Sequence, residues 1–369
     1  MPRAEFRILA VNPGSTSTKI AAYANERAEW MRCLQHSDEE MEPFRGRPVL
    51  DQLDFRRKRI EDELTAGGFA LDGLDAVAGR GGLMRPMPSG TFRVNEAMLA
   101  DLRAAAQGEH ASNLGAFLAQ SMAWRSGAQA FVVDPVSVDE LSDKARISGS
   151  ALFERHSLSH ALNTKAVAKR HAREEGRRYE DLRLVIAHLG SGISVSAHEG
   201  GRMVDVNLAG QEGPMSTERA GSLQWNPVVK LCFSGRFTQE GMYNALFREG
   251  GIYSYLGTKD LREVERRMAA GDGKAALIFE AMVYQTAKEI GGMAAALHGR
   301  VDAVLLTGGL ARSEKLIAEL RAAVGWIARV VVYPGEDELQ ALAEGALRVL
   351  RGEEEAREMV AEECVSKRG

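Results

Sequence analysis

Two arginines stand where few neighbouring side chains compete for a ligand. Arg80 lies in AVAGRGG with glycine on both sides, and Arg219 lies in the small-residue loop EGPMSTERAGSL. A guanidinium among small residues can approach an anion closely and grip a carboxylate or phosphoryl group through two parallel hydrogen bonds. A surface ion pair satisfies the same pattern. Asp134 ends the apolar run AFVVD before Pro135. A carboxylate there can hold Mg2+ through water or orient a nucleophile, and helix capping is the plain alternative. His188 ends another apolar run just before a Gly-Ser turn, and His110 lies in GEHASN. His156 and His160 are four apart in ERHSLSHALN, a spacing that predicts one shared helix face. With no third ligand evident, hydrogen-bonded imidazoles are the default reading for these histidines rather than a metal site.

Three glycine-bearing turns must position these groups. In ILAVNPGSTSTKI (residues 8–20) an apolar run breaks at Asn12-Pro13-Gly14 and resumes at Ile20. Its hydroxyls (Ser15, Ser17) and free backbone N–H groups make a concave surface suited to phosphate oxygens, or simply an exposed turn. It lacks the G-x-x-x-x-G-K-[ST] of a P-loop, so it predicts a phosphate-gripping hairpin. LVIAHLGSGISVSA (residues 184–197) repeats the design, placing His188 on Asn12, Gly190 on Gly14 and Ser191 on Ser15. VDAVLLTGGLARS (residues 301–313) predicts a buried strand, the pair Gly308-Gly309, and a helix from about Ser313. Two hairpins of one design predict two related domains facing each other across a cleft.

The wider pattern agrees. Strands are predicted near residues 7–12, 19–23, 28–33, 76–78 and 130–133, with helices over 49–66, 95–105 and 114–125. A similar order restarts after residue 150: strands near 184–188, 193–197 and 203–207, then 304–307 and 330–333, with helices over 260–270, 273–297, 312–323 and 338–351. The expected domains are 1–150, 151–335 and a C-terminal segment, 336–369, packing back on the first. The charged end, GEEEAREMVAEECVSKRG, reads as a surface helix with a frayed tail. Arg56-Arg57-Lys58-Arg59 has acids on both flanks at helical spacing and reads as a solvated, salt-bridged helix face.

Composition narrows the class. The 369 residues carry a formal net charge of −4, which gives no general affinity for nucleic acid or anionic membrane. No apolar stretch approaches the roughly 18 residues of a membrane span. The start of the chain enters a strand without a leader-like apolar segment. Cys33, Cys232 and Cys364 are scattered without metal spacing, as in a reducing cytoplasm.

With these residues in view, the chain resembles the butyrate kinase or branched-chain fatty acid kinase family, close to acetate kinase within the actin-like ATPase superfamily. The motifs are VNPGSTSTKIA, GRGGLMRP, ARISG, HALNTKAVA, HLGSGISV, GPMSTERAGSL, CFSGRFT, YSYLGTKD and LTGGLARS, in order from about residue 7 to 350. The resemblance implies an α/β fold of two ribonuclease-H-like domains with a nucleotide cleft between them. It implies reversible phosphoryl transfer between ATP and a short-chain fatty acid, giving ADP and an acyl phosphate. Asn12, Ser15, Ser17 and Lys19 fall on its first phosphate loop; His188, Gly190, Ser191 and Gly192 on its second; Gly308 and Gly309 on its adenosine motif. Arg80, His110, Asp134, His156 and Arg219 fall where acetate kinase carries catalytic arginines, an aspartate and site histidines. An acid of GEDEL (Glu336, Asp337 or Glu338) takes the place of the Mg2+-linked glutamate, with Glu338 and Asp134 assigned to the outer shell of the metal. The family also implies a homodimer or larger homo-oligomer.

This chain departs from the family at His156, where butyrate-type sequences usually carry another residue, and after Arg219, where it reads AGSLQWNPVV. It has Gly81-Gly82 where acetate kinase has bulky apolar residues, which predicts a wider acyl pocket. Rival readings within the superfamily are an activator ATPase, which would carry paired cluster-binding cysteines, and a non-catalytic polymerising nucleotide binder.

Overall fold

The computed structural model describes residues 5–360. These residues divide into two compact units, one of 5–138 with 337–360 and the other of 139–336.

In the first unit β1 (Arg7–Pro13), β2 (Ser17–Ala24), β3 (Arg27–Gln35), β4 (Ala76–Arg80), β5 (Thr91–Arg93) and β6 (Gln129–Val133) form a sheet ordered β3-β2-β1-β4-β6-β5. β1, β4 and β6 are parallel, and β2, β3 and β5 pair antiparallel. Strands covered on both faces read as continuous apolar runs, which is why Ile8 to Val11 are all buried. Successive strand residues point to opposite faces. Val132 therefore packs with Phe117 of helix Leu114–Ser126, while Val133 meets Gly345 of helix Glu338–Leu350. A Cβ at Gly345 would overlap Val133, so glycine lets that helix lie close on the sheet.

The second unit repeats the plan. β7 (Leu184–Leu189), β8 (Ile193–Glu199), β9 (Arg202–Val206), β10 (Ala303–Gly308) and β11 (Val330–Pro334) are ordered β11-β10-β7-β8-β9. An antiparallel meander β7-β8-β9 is extended by parallel β10 and β11. Strand for strand this is β1-β2-β3 extended by β4 and β6. Val185, Ala187 and Val195 pack with helix Gly273–Ala296, and Leu184, Ile186 and Leu305 with Val167 and Ala168 of helix Ala161–Glu174.

Two expectations need correction. β5 went unread because three residues, Thr91-Phe92-Arg93, carry no period. The charged C-terminal run is not helical over residues 352–360. It runs extended beside β5: Arg357 N–H donates to Thr91 O, and Arg93 N–H to Arg357 O, each at 2.8 Å. An edge strand leaves backbone groups needing partners, and this segment supplies them. The rest of the expected helix, 361–369, lies outside the described residues.

Candidate functional site

In the first unit the candidate residues gather at the C-terminal ends of the parallel strands, where α/β sheets place ligands. Asn12 is at the end of β1, Arg80 ends β4, and Asp134 follows β6. Asn12 is buried, and its Nδ2 donates to Glu338 Oε2 at 2.6 Å. Arg80 Nη1 donates to Glu338 Oε1. Of the three acids in GEDEL, Glu338 is the buried one. It is the first residue of helix Glu338–Leu350, where the helix dipole favours negative charge. Arg80 Nε is buried with no hydrogen-bond partner among the described residues. Buried donors are nearly always satisfied, so an orphan marks a place that an outside acceptor can fill.

Asp134 is buried with φ of +37°, a left-handed conformation that aspartate tolerates better than most residues. Its Oδ1 accepts from Ser89 Oγ at 2.6 Å and Gly90 N–H at 2.8 Å, so it braces the entry to β5 and caps no helix. Lys19 is exposed opposite Asn12 in the hairpin register, with Ser15 exposed and Ser17 half-buried at the turn. His110 is exposed; its Nδ1 accepts from Ser112 N–H at 3.2 Å, capping the short turn Ala111–Asn113. Gly81 and Gly82 do not widen a pocket. A Cβ at Gly81 would overlap Pro135 and Val132, and one at Gly82 would overlap Asn113, so neighbouring residues already fill that space.

Arg56 corrects the solvated-face reading. It is fully buried, while Arg57 forms the expected ion pairs with Asp54 and Glu61, and Arg59 reaches Glu40 outside the run. The missed signal was its spacing: Arg56, Ile60 and Leu64 recur every four residues on the buried face of helix Leu53–Ala66. Its guanidinium lies under the first hairpin and donates to the carbonyls of Gly14, Ser15 and Ser17.

In the second unit His188 is the penultimate residue of β7 and almost fully buried. Its Nδ1–H donates to Asn163 Oδ1 at 2.8 Å, which turns Nε2 toward Glu336 Oε1 at 3.2 Å. The His160 ring stacks on it, centroids 3.9 Å apart and planes within 8°. His156 and His160 share no helix face. Helix Ala161–Glu174 begins after them, and His156 is exposed in an irregular stretch. Arg155 accounts for this: its side chain donates to Ala145 O, Val206 O, Asp205 and Glu212, pulling the segment away from helical geometry.

Arg219 converges on the second turn. A Cβ at Gly192 would overlap its guanidinium, so only glycine admits this approach. The guanidinium lies over the Phe247 ring, 4.2 Å from its centroid, and Nη1 donates to Ala209 O at 3.2 Å. Its Nε is buried without a partner among the described residues, as in Arg80. Burial lowers its pKa from the ordinary value, with Glu218 opposing the shift. Ser216 Oγ donates to Ser191 O, tying the arginine loop to the turn. On the other side of Gly190 lie His188 Nε2 and Glu336. Gly308, beside this turn at the end of β10, has φ of +94°, and a Cβ there would overlap Leu189 O. Gly309 is exposed, and an added Cβ there would meet none of the described residues.

The structure thus joins Asn12, Arg80 and Glu338 in one unit, and His188, Gly190, Ser191, Gly192 and Arg219 with Glu336 in the other. His110 and His156 stand outside these clusters. Sequence reading missed Asn163, His160 as the ring stacked on His188, and Phe247. Among the described residues no three His, Cys, Asp or Glu side chains cluster as metal ligands. Asp134 Oδ1 and both oxygens of Glu338 already accept protein hydrogen bonds. That donor set fits Mg2+ held by substrate phosphates and reached through water, the usual habit of this ion. No helix among the described residues is long and apolar enough to cross a membrane.

Residues 152–325, just under half of the chain, match the model of the Acetokinase family. Acetate kinase of Porphyromonas gingivalis superposes with a TM-score of 0.74 at 17% identity, covering 92% of this chain and 99% of its own. A propionate kinase from Francisella tularensis subsp. tularensis SCHU S4 gives 0.71 at 17% identity, covering 92% and 98%. Acetate kinase of Entamoeba histolytica gives 0.72 at 14% identity, also covering 92% and 98%. At these identities the structural likeness establishes the two-domain, actin-like α/β fold. Residues 152–325 thus resemble the Acetokinase family, and the fold is the one that acetate and propionate kinases share.

Proposed function

We propose that this chain transfers the γ-phosphoryl group of ATP reversibly to a short-chain fatty acid, butanoate or a branched-chain acid, giving ADP and an acyl phosphate. The acetate kinase family supports a carboxyl-group phosphotransferase that uses ATP with Mg2+. The observation carrying the reading is that Arg80 and Arg219 each hold a buried, unpartnered Nε beside a glycine turn. The choice of a four-carbon or branched acid rests on the motif resemblance, since Gly81 and Gly82 open no extra volume.

A carboxylate oxygen forms a bond to the γ-phosphorus as the bond from that phosphorus to the β,γ-bridging oxygen breaks. Carboxylic acids are ionised at pH 7, so no proton moves and no general base is needed. The difficulty is bringing two anions together, so cations must supply most of the catalysis. Arg80 binds the acid carboxylate, and Arg219 stabilises the equatorial oxygens in flight. Asn12 and His188 hydrogen-bond the transferring group. Ser15, Ser17 and Lys19 on the first hairpin, and Gly190, Ser191 and Gly192 on the second, hold phosphates; Gly308 and Gly309 admit the adenosine. Gly82, His110 and His156 belong with the acid on the resemblance alone. Asp134 and Glu338 would hold Mg2+ through water, and the ion would supply positive charge to offset that of the nucleotide phosphates.

The test is acyl phosphate formation, trapped as hydroxamate, across acids of rising length and branching. Butanoate or a branched acid is expected to lead. Equal activity on acetate refutes the proposed specificity, and ADP release indifferent to any acid refutes the reaction. We also propose a cytoplasmic homodimer or larger assembly, supported by the exposed Trp225 and the adjoining Phe233 at helix Trp225–Cys232, which buries no residue. Light scattering would return a monomer mass if that is wrong.

A further inference from the structure

Arg56 forms a layer beneath the first hairpin that the proposed chemistry does not use. The side chain is fully buried, yet no carboxylate pairs with it among the described residues. Nη1 donates to Gly14 O at 2.8 Å, Thr18 Oγ1 at 3.0 Å and Ser17 O at 3.2 Å. Nη2 donates to Ser15 O at 3.3 Å. Nε and Nη2 both donate to Gln52 Oε1, at 3.0 and 2.9 Å, so a neutral amide orients the cation from its own helix. Burial pulls its pKa down to about 10, which leaves it charged at neutral pH. Behind it, His36 Nε2 meets Thr18 Oγ1 at 2.9 Å, and burial with the nearby guanidinium pushes that imidazole down to about 4. The layer under the turn therefore carries one positive charge at pH 7, and it comes from Arg56.

Peptide geometry turns this brace into a function. In a trans peptide the C=O and the following N–H point in opposite directions. No cis peptide occurs among the described residues. Drawing the carbonyls of Gly14 and Ser15 down onto Arg56 therefore turns the N–H groups of Ser15 and Thr16 away from the core. Ser15 and Thr16 are exposed, and neither amide has an acceptor within the described structure. Outward amides over a buried positive charge form an anion-binding surface. An unpaired buried cation is costly in a protein with no further use for it.

We infer that Arg56 is a positioning residue for a phosphate group at the first hairpin, setting the Ser15 and Thr16 amides outward and lending the turn its uncompensated charge. The inference rests on the reading of that hairpin as a phosphate site. Lysine preserves the charge but not the planar fork that reaches several acceptors at once. Glutamine preserves some hydrogen bonding without charge.

The test is calorimetric titration of the full chain and its Arg56→Lys and Arg56→Gln variants with ATP, ADP and adenosine, beside circular dichroism and steady-state kinetics. Both variants should weaken ATP and ADP binding by about tenfold or more, the scale of lost charged hydrogen bonds. Adenosine affinity should stay within about twofold, and KM for ATP should rise more than kcat falls. Folded variants that bind ATP like the parent overturn the inference, as does equal weakening of ATP and adenosine, the mark of a merely structural role. If both variants fail to fold, Thr18→Val removes one acceptor at smaller cost and must show the same ATP-over-adenosine loss. If the unmutated chain binds ATP no better than adenosine, the phosphate reading itself fails, whatever the variants do.

Discussion

Glu338 Oε2 accepts from Asn12 Nδ2 at 2.6 Å across 326 positions of sequence, while the other oxygen of the same carboxylate holds Arg80. One acid thus occupies two of the groups proposed to handle substrate. An incoming fatty-acid carboxylate must share Arg80 with Glu338 or displace it.

That competition has a sign. Arg80→Ala should raise KM for the acid by about tenfold or more, the loss of a charge-assisted pair. Glu338→Gln should lower the same KM by freeing the guanidinium, and should reduce kcat if Glu338 holds Mg2+ through water as proposed. Arg80 and Glu338 side chains are 18% and 8% exposed, so breaking the pair should also cost stability of about 3 kcal/mol. Initial rates against acid concentration and urea midpoints separate these effects. An unchanged KM in Arg80→Ala means the carboxylate binds elsewhere.

Arg219→Ala should lower kcat by roughly 10³-fold or more if it stabilises the phosphoryl group in transfer. Arg219→Lys should recover little, because a point charge replaces a planar fork stacked on Phe247. A loss below about tenfold in single-turnover rate removes Arg219 from that role.

Two glycines give a matched contrast. At Gly192 an added methyl would overlap the Arg219 guanidinium, so Gly192→Ala should cut kcat by about a hundredfold, near the effect of a misplaced catalytic group. At Gly309 nothing lies within 4 Å of an added methyl. Gly309→Ala should leave the thermal midpoint unchanged and raise only KM for ATP. A Gly309→Ala enzyme with normal KM for ATP would move the adenosine site away from that turn.

Stability should fall on mild acidification in a way His36 helps to set. Its folded pKa, about 4, lies below the ordinary 6.5 because of burial and then Arg56. The unfolded chain therefore binds the proton more readily than the folded one between those values. The contribution of neutral His36 is complete above about pH 6.5 and is lost progressively toward pH 4. His36→Gln should flatten the urea midpoint over that window. His198 and His171, also pushed down by burial, keep part of the slope. An identical acid slope in parent and variant would exclude His36 as a contributor.

Much of this architecture is written locally. Apolar runs broken by Asn12-Pro13-Gly14 and by Gly190-Ser191-Gly192 identify the hairpins, because turn chemistry belongs to adjacent residues. The three residues of β5 carry no such signal and form a strand because β6 and the 354–357 segment pair with them. His156 and His160 were misassigned because helical spacing is blind to Arg155, which ties that stretch to four distant partners.

By itself, then, the order of residues determined the two repeated sheets, their glycine turns, and the set of arginines, acids and histidines available for chemistry. Tertiary structure alone decided which charges meet: Glu338 with Arg80 and Asn12, Glu336 with His188, Arg56 with a turn 42 positions away. The reason is physical. Turns and periodicity arise from interactions a few residues long, whereas the partner of a buried charge is chosen by packing that brings remote parts of the chain together and excludes water between them.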